Sequence, residues 1–196
     1  MLFLDYETRS RVDLKRYGAD IYFADPSTEV LMVGVRYEEV PQVMGAPPTQ
    51  YPGYYISWGL FDDYCFYAFG GVIPQTRWID ASALARFLGL PGSLEGAAKA
   101  LGVVHRKDPR GKRLIEKYCH PQENGEFLRL EGPDRLAMEE NCKQDVDLLA
   151  EVWRRMMLFT ARSVFEEWQV HQRESFWLVE QMNQRGVPID RESAQE

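Results

Sequence analysis

The stretch EVLMVGVRY, residues 29–37, constrains the fold of this chain more than any other feature. It is almost entirely apolar and rich in β-branched residues, which is typical of a strand in a sheet that is covered on both faces. Residues 1–8 (MLFLDYET) predict another strand, apolar first and acidic at its end. Further strands are predicted at residues 40–44, 54–58 and 75–79, with a proline-rich loop at 45–53.

From residue 80 onward the pattern changes to helices. Asp80 or Ser82 can cap a helix that Gly89 and Pro91 end, and Ser93 precedes a short Ala-rich helix. Helices are also predicted at residues 109–118, 133–157 and 161–185, with a polar loop between 120 and 134. Strands with interleaved helices, followed by helices alone, indicate an α/β domain with a helical segment after it.

Length, charge and cysteine content exclude several classes of protein. The length of 196 residues suits one domain with room for an appendage, and a net charge of −7 argues against coating nucleic acid through bulk charge. Residues 99–117 are locally basic, with seven Lys and Arg against two acids, which suits phosphate contacts or a solvated helix face. Three scattered cysteines predict neither a disulfide framework nor a zinc knuckle, so a reducing cytoplasm is the default. We expect no signal peptide and no membrane span.

Four carboxylates could carry chemistry. Asp5 and Glu7 are two residues apart in a predicted strand, so they share a face and repel each other unless a cation lies between them. Asp62 follows an apolar strand at the predicted start of a helix, where Asp63 competes with it, and Asp145 lies in a helix beside the apolar stripe. Each signal also has an ordinary interpretation: a solvated strand end, a helix-start acid and a boundary residue of an amphipathic helix.

Together these motifs resemble a known set. FLDYET, GLFD and NCKQDV resemble the three exonuclease motifs of DEDD-type 3′–5′ exonucleases, and more closely those in the exonuclease part of bacteriophage-type family A DNA polymerases. The stretch EQMNQRGVPID is similar to the segment that leads from the exonuclease into the polymerase part. The resemblance implies an RNase H-like α/β fold, with a mixed central sheet and flanking helices, over residues 1–158. Residues 159–196 would then be a helical connector toward an absent polymerase part.

The resemblance also implies roles for individual residues. Asp5 and Glu7 match the first motif, Asp62 the second and Asp145 the third. In that family the four carboxylates hold two divalent metal ions, Mg²⁺ or Mn²⁺, of which one activates the attacking water and the other stabilises the leaving 3′-oxygen. Thr8 occupies a position that contacts the terminal nucleotide in relatives, although a β-branched residue is also ordinary in a strand.

Two positions depart from the family pattern. Trp58 stands where relatives carry Asn, and it can either stack on a base or belong to the core. Asn141 stands where relatives carry a Tyr that helps to orient the attacking water, four residues before Asp145 and on the same helix face. Its amide can donate and accept hydrogen bonds but cannot supply a proton, so it can take over only part of that role.

These expectations lead to one main hypothesis and two alternatives. The main hypothesis is a two-metal-ion 3′–5′ exonuclease acting on single-stranded or frayed DNA 3′ ends. It would be the proofreading part of a phage-like DNA polymerase in the cytoplasm of a bacterial or phage-infected host. The first alternative is a catalytically weakened module of the same fold that binds single-stranded DNA or supports a polymerase. The second is a stand-alone ribonuclease of the same superfamily.

Overall fold

A computed structural model of the chain describes residues 1–37, 40–44, 51–71, 77–104 and 110–185. Several sequence predictions lie partly outside these ranges. They are the start of the strand at 75–79, most of the loop at 45–53, the centre of the basic stretch at 99–117, and the segment from Gly186 onward. The chain divides into two compact units, residues 1–159 and 160–196, and each is considered by itself.

The first unit is built on one mixed sheet. Its strands, as far as the structure describes the chain, are β1 (Leu2–Arg9), β2 (Glu29–Tyr37), β3 (Val40–Met44), β4 (Tyr55–Ser57) and β5 (Trp78–Asp80). They lie in the order β3-β2-β1-β4-β5. The β1–β2 and β2–β3 pairs are antiparallel, whereas the β1–β4 and β4–β5 pairs are parallel. The predicted mixed sheet is confirmed, and its strand order is compatible with an RNase H-like fold.

Both faces of the sheet are covered, as the apolar sequence of β2 predicts. On one face a core cluster joins Leu4 and Tyr6 of β1 to Phe66. On the other face a second cluster joins Met32 of β2 to Met138 and other apolar residues of two later helices. Because side chains alternate between the faces of a strand, Asp5 and Glu7 lie on the face opposite to Leu4 and Tyr6.

The helices flank this sheet. In the described part of the first unit they are α1 (Leu14–Ala24), α2 (Phe61–Ala68), α3 (Ala81–Phe87), α4 (Leu94–Ala100), α5 (Arg110–Tyr118) and α6 (Gly132–Phe159). Asp80, and not Ser82, caps α3, because its carboxylate accepts hydrogen bonds from the amides of Ser82 and Ala83. Ser93 caps α4 in the same way through the amide of Gly96.

Helix α1 has no counterpart among the sequence predictions. Asp13 caps it by accepting hydrogen bonds from the amides of Lys15 and Arg16. Gly18 interrupts it with φ 81° and ψ 171°, a backbone conformation that side-chain-bearing residues rarely adopt. This kink breaks the helical periodicity on which a prediction from sequence depends.

Helix α6 packs against β1 and β2. Gly34 of β2 makes this close approach feasible, because a Cβ atom at that position would lie 2.8 Å from the carbonyl oxygen of Cys142 and 2.9 Å from a methyl carbon of Val146. Gly34 is also the register partner of Asp5. The absence of a side chain at Gly34 therefore lets α6 approach the sheet beside the acidic end of β1.

The second unit contains helix α7 (Arg162–Arg185). Within it the rings of Phe165 and Trp168 stack with a centroid separation of 5.6 Å. None of the described helices is both long enough and apolar enough to cross a membrane.

Candidate active site

The site begins on β1, where two acids share one face of the sheet. Asp5 is partly exposed and Glu7 is buried, with 8% of its surface accessible. Glu7 pairs in register with Met32, and the register shifts directly after it. Such an irregularity ends regular pairing next to the two carboxylates, as β-bulges often do beside active sites.

Asp62 enters the site from the first turn of α2, as its sequence context predicts. Its carboxylate accepts a hydrogen bond of 3.0 Å from the backbone amide of Tyr6, the residue between the two β1 acids. Asp63 is buried as well, but the bond to β1 belongs to Asp62. The structure therefore joins the first and second predicted motifs through a main-chain contact.

The electrostatics of Asp62 reflect this crowding. Burial and, next, the charge of Asp5 raise the pKa of the Asp62 carboxyl well above its ordinary value. Glu7 and Asp80 raise the pKa further, whereas the hydrogen bond from the Tyr6 amide opposes the shift. Like charges collected in a buried place are costly unless a proton or a cation compensates them.

Asp145 and Asn141 meet one helical turn apart on α6. The amide Nδ2 of Asn141 donates a hydrogen bond of 3.1 Å to the carboxylate of Asp145. Asn141 is buried, with 3% of its surface accessible, and its Oδ1 has no hydrogen-bond partner among the described residues. Its carboxamide is thus fixed on Asp145 by one bond and otherwise enclosed by protein.

Cys142 is the residue that the sequence analysis missed. Its Sγ and a carboxylate oxygen from each of Asp5 and Glu7 all lie within 4.8 Å of one another. Burial, followed by the charges of Asp5, Glu7 and Asp145, raises the pKa of the Cys142 thiol. The available signal was its position three residues before Asp145, on the helix stripe that faces the sheet. Asp145 follows Cys142 by three residues on α6, and its charge contributes to that shift.

The donor set suits hard divalent cations. Asp5, Glu7, Asp62 and Asp145 supply oxygen atoms, which are the ligands that Mg²⁺ and Mn²⁺ prefer. Burial and, next, the charge of Asp5 raise the pKa of the Asp62 carboxyl, and a bound cation would offset both effects. Asp5, Glu7 and Asp62 therefore fit a divalent metal ion of the kind that the resemblance implies, and Asp145 lies on α6, which packs against β1.

A pocket of about 210 Å³ opens beside Glu7. Its wall includes Glu7 and Thr8 of β1 together with a mixture of aromatic, aliphatic and polar residues, among them Tyr22, Phe61, Ile115 and His120. The Thr8 hydroxyl lies 2.7 Å from the Tyr22 hydroxyl, which is hydrogen-bonding distance. The pocket therefore places apolar surface and a hydrogen-bonded hydroxyl pair next to the Glu7 carboxylate.

Trp58 is held at one edge of its indole ring. Its indole Nε1 donates a hydrogen bond of 3.0 Å to the carbonyl of Gly92, in the segment between α3 and α4. The neighbouring Gly59 amide donates to the carboxylate of Asp80 at 2.9 Å. These two bonds fasten the turn that leads into α2, and with it the position of Asp62.

The basic stretch is only partly described. Arg106 and Lys107 lie outside the described residues, whereas Arg110, Lys112 and Arg113 are exposed on α5. At its other end Lys117 forms an ion pair of 2.7 Å with Asp134. The exposed cations of α5 thus lie on the helix whose residue Ile115 lines the pocket.

Comparisons with known proteins were made for the whole chain. No family model matches it. It is similar to a DNA polymerase of Bacillus phage SP02, with 29% identity over an alignment of 213 positions. The alignment covers 96% of this chain but 32% of that polymerase, so the chain spans about a third of the length of the curated relative that it matches.

Proposed function

We propose that this chain is a metal-dependent 3′–5′ exonuclease on an RNase H-like fold, which removes nucleotides from single-stranded or frayed DNA 3′ ends. The observation that carries the proposal is the meeting of the first two motifs. Asp5 and Glu7 share one face of β1, and the amide of the residue between them binds Asp62. Since Asp62 lies more than 50 residues after the two β1 acids, its meeting with them is a property of the fold.

The metal ions would be held by Asp5, Glu7, Asp62 and Asp145. Two divalent cations at such a site supply an activated water at neutral pH and compensate the charge that develops on the leaving oxygen. The protein contributes the positions of these carboxylates. The amide of Tyr6 holds Asp62 against β1, and the amide of Asn141 holds Asp145 on α6.

The neighbouring pocket would bind the terminal nucleotide. Phe61 and Ile115 offer apolar surface for a base or a sugar, while Thr8 and Tyr22 offer hydroxyl groups. The exposed cations on α5 would contact the phosphates of the same strand, which predicts that binding weakens as salt increases.

The similarity to the phage SP02 DNA polymerase supports a place beside a polymerase. We therefore propose residues 1–158 as the exonuclease domain and 159–196 as a connector toward a polymerase part. Proofreading of mismatched primer ends would be its task in the cytoplasm of a bacterial or phage-infected host. Trp58 would act indirectly in this scheme, because its bond to Gly92 fastens the turn before Asp62.

The decisive experiment uses a 3′-labelled single-stranded DNA oligonucleotide with Mg²⁺ or Mn²⁺. We expect stepwise loss of nucleotides from the 3′ end and no loss when a chelator is present. The Asp5→Ala variant is the background control. Cleavage by the wild type that does not exceed this control would overturn the proposal. Comparison with an RNA oligonucleotide of the same sequence distinguishes this proposal from the ribonuclease alternative.

A second candidate is a weakened module that binds single-stranded DNA. The observation that favours it is the burial of Asn141, since a carboxamide enclosed by protein and bonded to Asp145 is poorly placed to orient a water molecule. Tight binding of single strands in a chelator, together with negligible cleavage in Mg²⁺, would select this candidate.

A further inference from the structure

Cys142 brings a sulfur atom to the carboxylates of β1. Its Sγ and one oxygen from each of Asp5 and Glu7 lie within 4.8 Å of one another. The side chain is fully buried, and its thiol faces the carbonyl oxygen of Asp5 at 3.8 Å, a long and weak contact. Gly34 leaves the room that the sulfur fills, because a Cβ atom there would lie 2.9 Å from the Sγ.

We propose that Asp5, Glu7 and Cys142 form a mixed carboxylate–thiolate site for a thiophilic divalent cation such as Zn²⁺ or Cd²⁺. Binding forms a metal–sulfur bond and releases the thiol proton to solvent, with no change of oxidation state. Hard ions such as Mg²⁺ use the oxygen atoms alone, whereas softer ions gain from sulfur. The same two β1 acids would therefore serve both classes of ion.

The separations suit one ion of this class. Zinc holds a thiolate sulfur at about 2.3 Å and a carboxylate oxygen at about 2.0–2.2 Å. Ligand atoms within 4.8 Å of one another can meet on such an ion after small side-chain rotations. Asp5 is partly exposed and gives an ion access, while the buried sulfur supplies the inner ligand.

This site has a regulatory consequence, and that consequence rests on the proposed exonuclease function. A thiophilic ion would draw Asp5 and Glu7 toward the sulfur and compete with Mg²⁺ for them. We expect Zn²⁺ or Cd²⁺ to inhibit Mg²⁺-dependent cleavage, and a thiol-containing chelator to restore it.

The test of binding itself needs no DNA. The full chain is titrated with Cd²⁺, and the ultraviolet charge-transfer absorption of a cadmium–thiolate bond is followed. We expect one equivalent of this absorption in the wild type and none in Cys142→Ala. Cys65→Ala is the matched control, because Cys65 is another fully buried thiol but lies in the core cluster with Phe66, on the other face of the sheet. It should retain the absorption.

A second variant tests the site independently of whether the cysteine variants fold. Glu7→Gln keeps the thiol and should weaken Cd²⁺ affinity about tenfold or more. Absence of the absorption in the wild type, its persistence in Cys142→Ala, or an unchanged affinity in Glu7→Gln would overturn the proposal. If the absorption is present and DNA cleavage is absent, the cation site is supported and the exonuclease function is overturned. If cleavage is present and the absorption is absent, only the cation site is overturned.

Discussion

A Cβ atom placed on Gly111 would lie 2.1 Å from the Oδ1 of Asn141 and 2.7 Å from its Cγ. Gly111 is buried on α5, and Asn141 donates to Asp145 on α6. The backbone of α5 therefore closes directly over the carboxamide that holds Asp145. This contact explains how Asn141 comes to be enclosed, and it links the basic helix α5 to the acidic site.

Gly111→Ala should destabilise the protein, although alanine favours a helix over glycine by about 1 kcal/mol. The added methyl group meets the Asn141 carboxamide, and overpacking of this kind costs about 1–3 kcal/mol. Urea unfolding measures the change in the free energy of unfolding. Gly92→Ala is the control, because the nearest atom to its Cβ would be the Nε of Arg86, on a flexible side chain, at 3.4 Å. Equal free energies of unfolding for Gly111→Ala and Gly92→Ala would contradict this prediction, because α5 would then accommodate the methyl group without loss of stability.

Asn141→Tyr should not create a group that orients the attacking water in the proposed exonuclease. The backbone at Gly111 occupies the space beside Asn141, so a phenol ring requires α5 to move. We expect a loss of about 1–3 kcal/mol in stability and slower cleavage of DNA. The double variant Asn141→Tyr with Glu116→Gln, at an exposed position of α5, should behave like the single variant. Faster cleavage by Asn141→Tyr at unchanged stability would contradict the expectation.

The sequence predicts the strands well because each carries a clear local signal. The apolar run of β2 is placed at residues 29–37 by pattern alone, and the structure has the same bounds. Helix α1 is not predicted from the sequence, because Gly18 interrupts its helical periodicity. The sequence allows either Asp80 or Ser82 to cap α3, since both are good capping types, and only the geometry selects Asp80.

The candidate site was predictable only in part. The face shared by Asp5 and Glu7 follows from the strand period, and the spacing of Asn141 and Asp145 follows from the helix period. The partners of Trp58 and the approach of Cys142 to β1 depend on contacts between residues that are distant in sequence. No local pattern encodes such contacts. The metal-ligand and catalytic roles of the four acids remain predictions.

Asp62 should make the metal-free protein less stable as the pH rises. Its pKa is ordinarily 3.8 and is raised in the folded state by burial and by Asp5. Above 3.8 the folded state therefore keeps a proton that the unfolded state has released, and the free energy of unfolding falls with pH until the folded-state pKa is passed. Urea unfolding in a chelator, at several pH values upward from about 4, measures this slope.

In Asp62→Asn the pH slope should be smaller, because an amide does not titrate in this range. The amide oxygen can still accept the hydrogen bond from the Tyr6 backbone, so the local structure is kept. Near neutral pH this variant should be more stable than the wild type without metal. Asp20→Asn, at an exposed position on α1, should follow the wild type. Parallel pH profiles for the wild type and Asp62→Asn would show that the Asp62 carboxyl titrates normally.

Tyr22→Phe should weaken the binding of DNA ends more than it slows their cleavage. The Tyr22 hydroxyl lies 2.7 Å from that of Thr8, inside the pocket beside Glu7. Removing it takes away one hydroxyl group that the pocket offers to the bound strand end, and one hydrogen bond contributes about 0.5–1.5 kcal/mol net. That loss corresponds to an increase of about 2- to 13-fold in KM for a short oligonucleotide, with kcat less affected. Tyr17→Phe, on the exposed side of the same helix, should leave both constants unchanged. A lower kcat at constant KM in Tyr22→Phe would instead place this hydroxyl pair at the reacting phosphate.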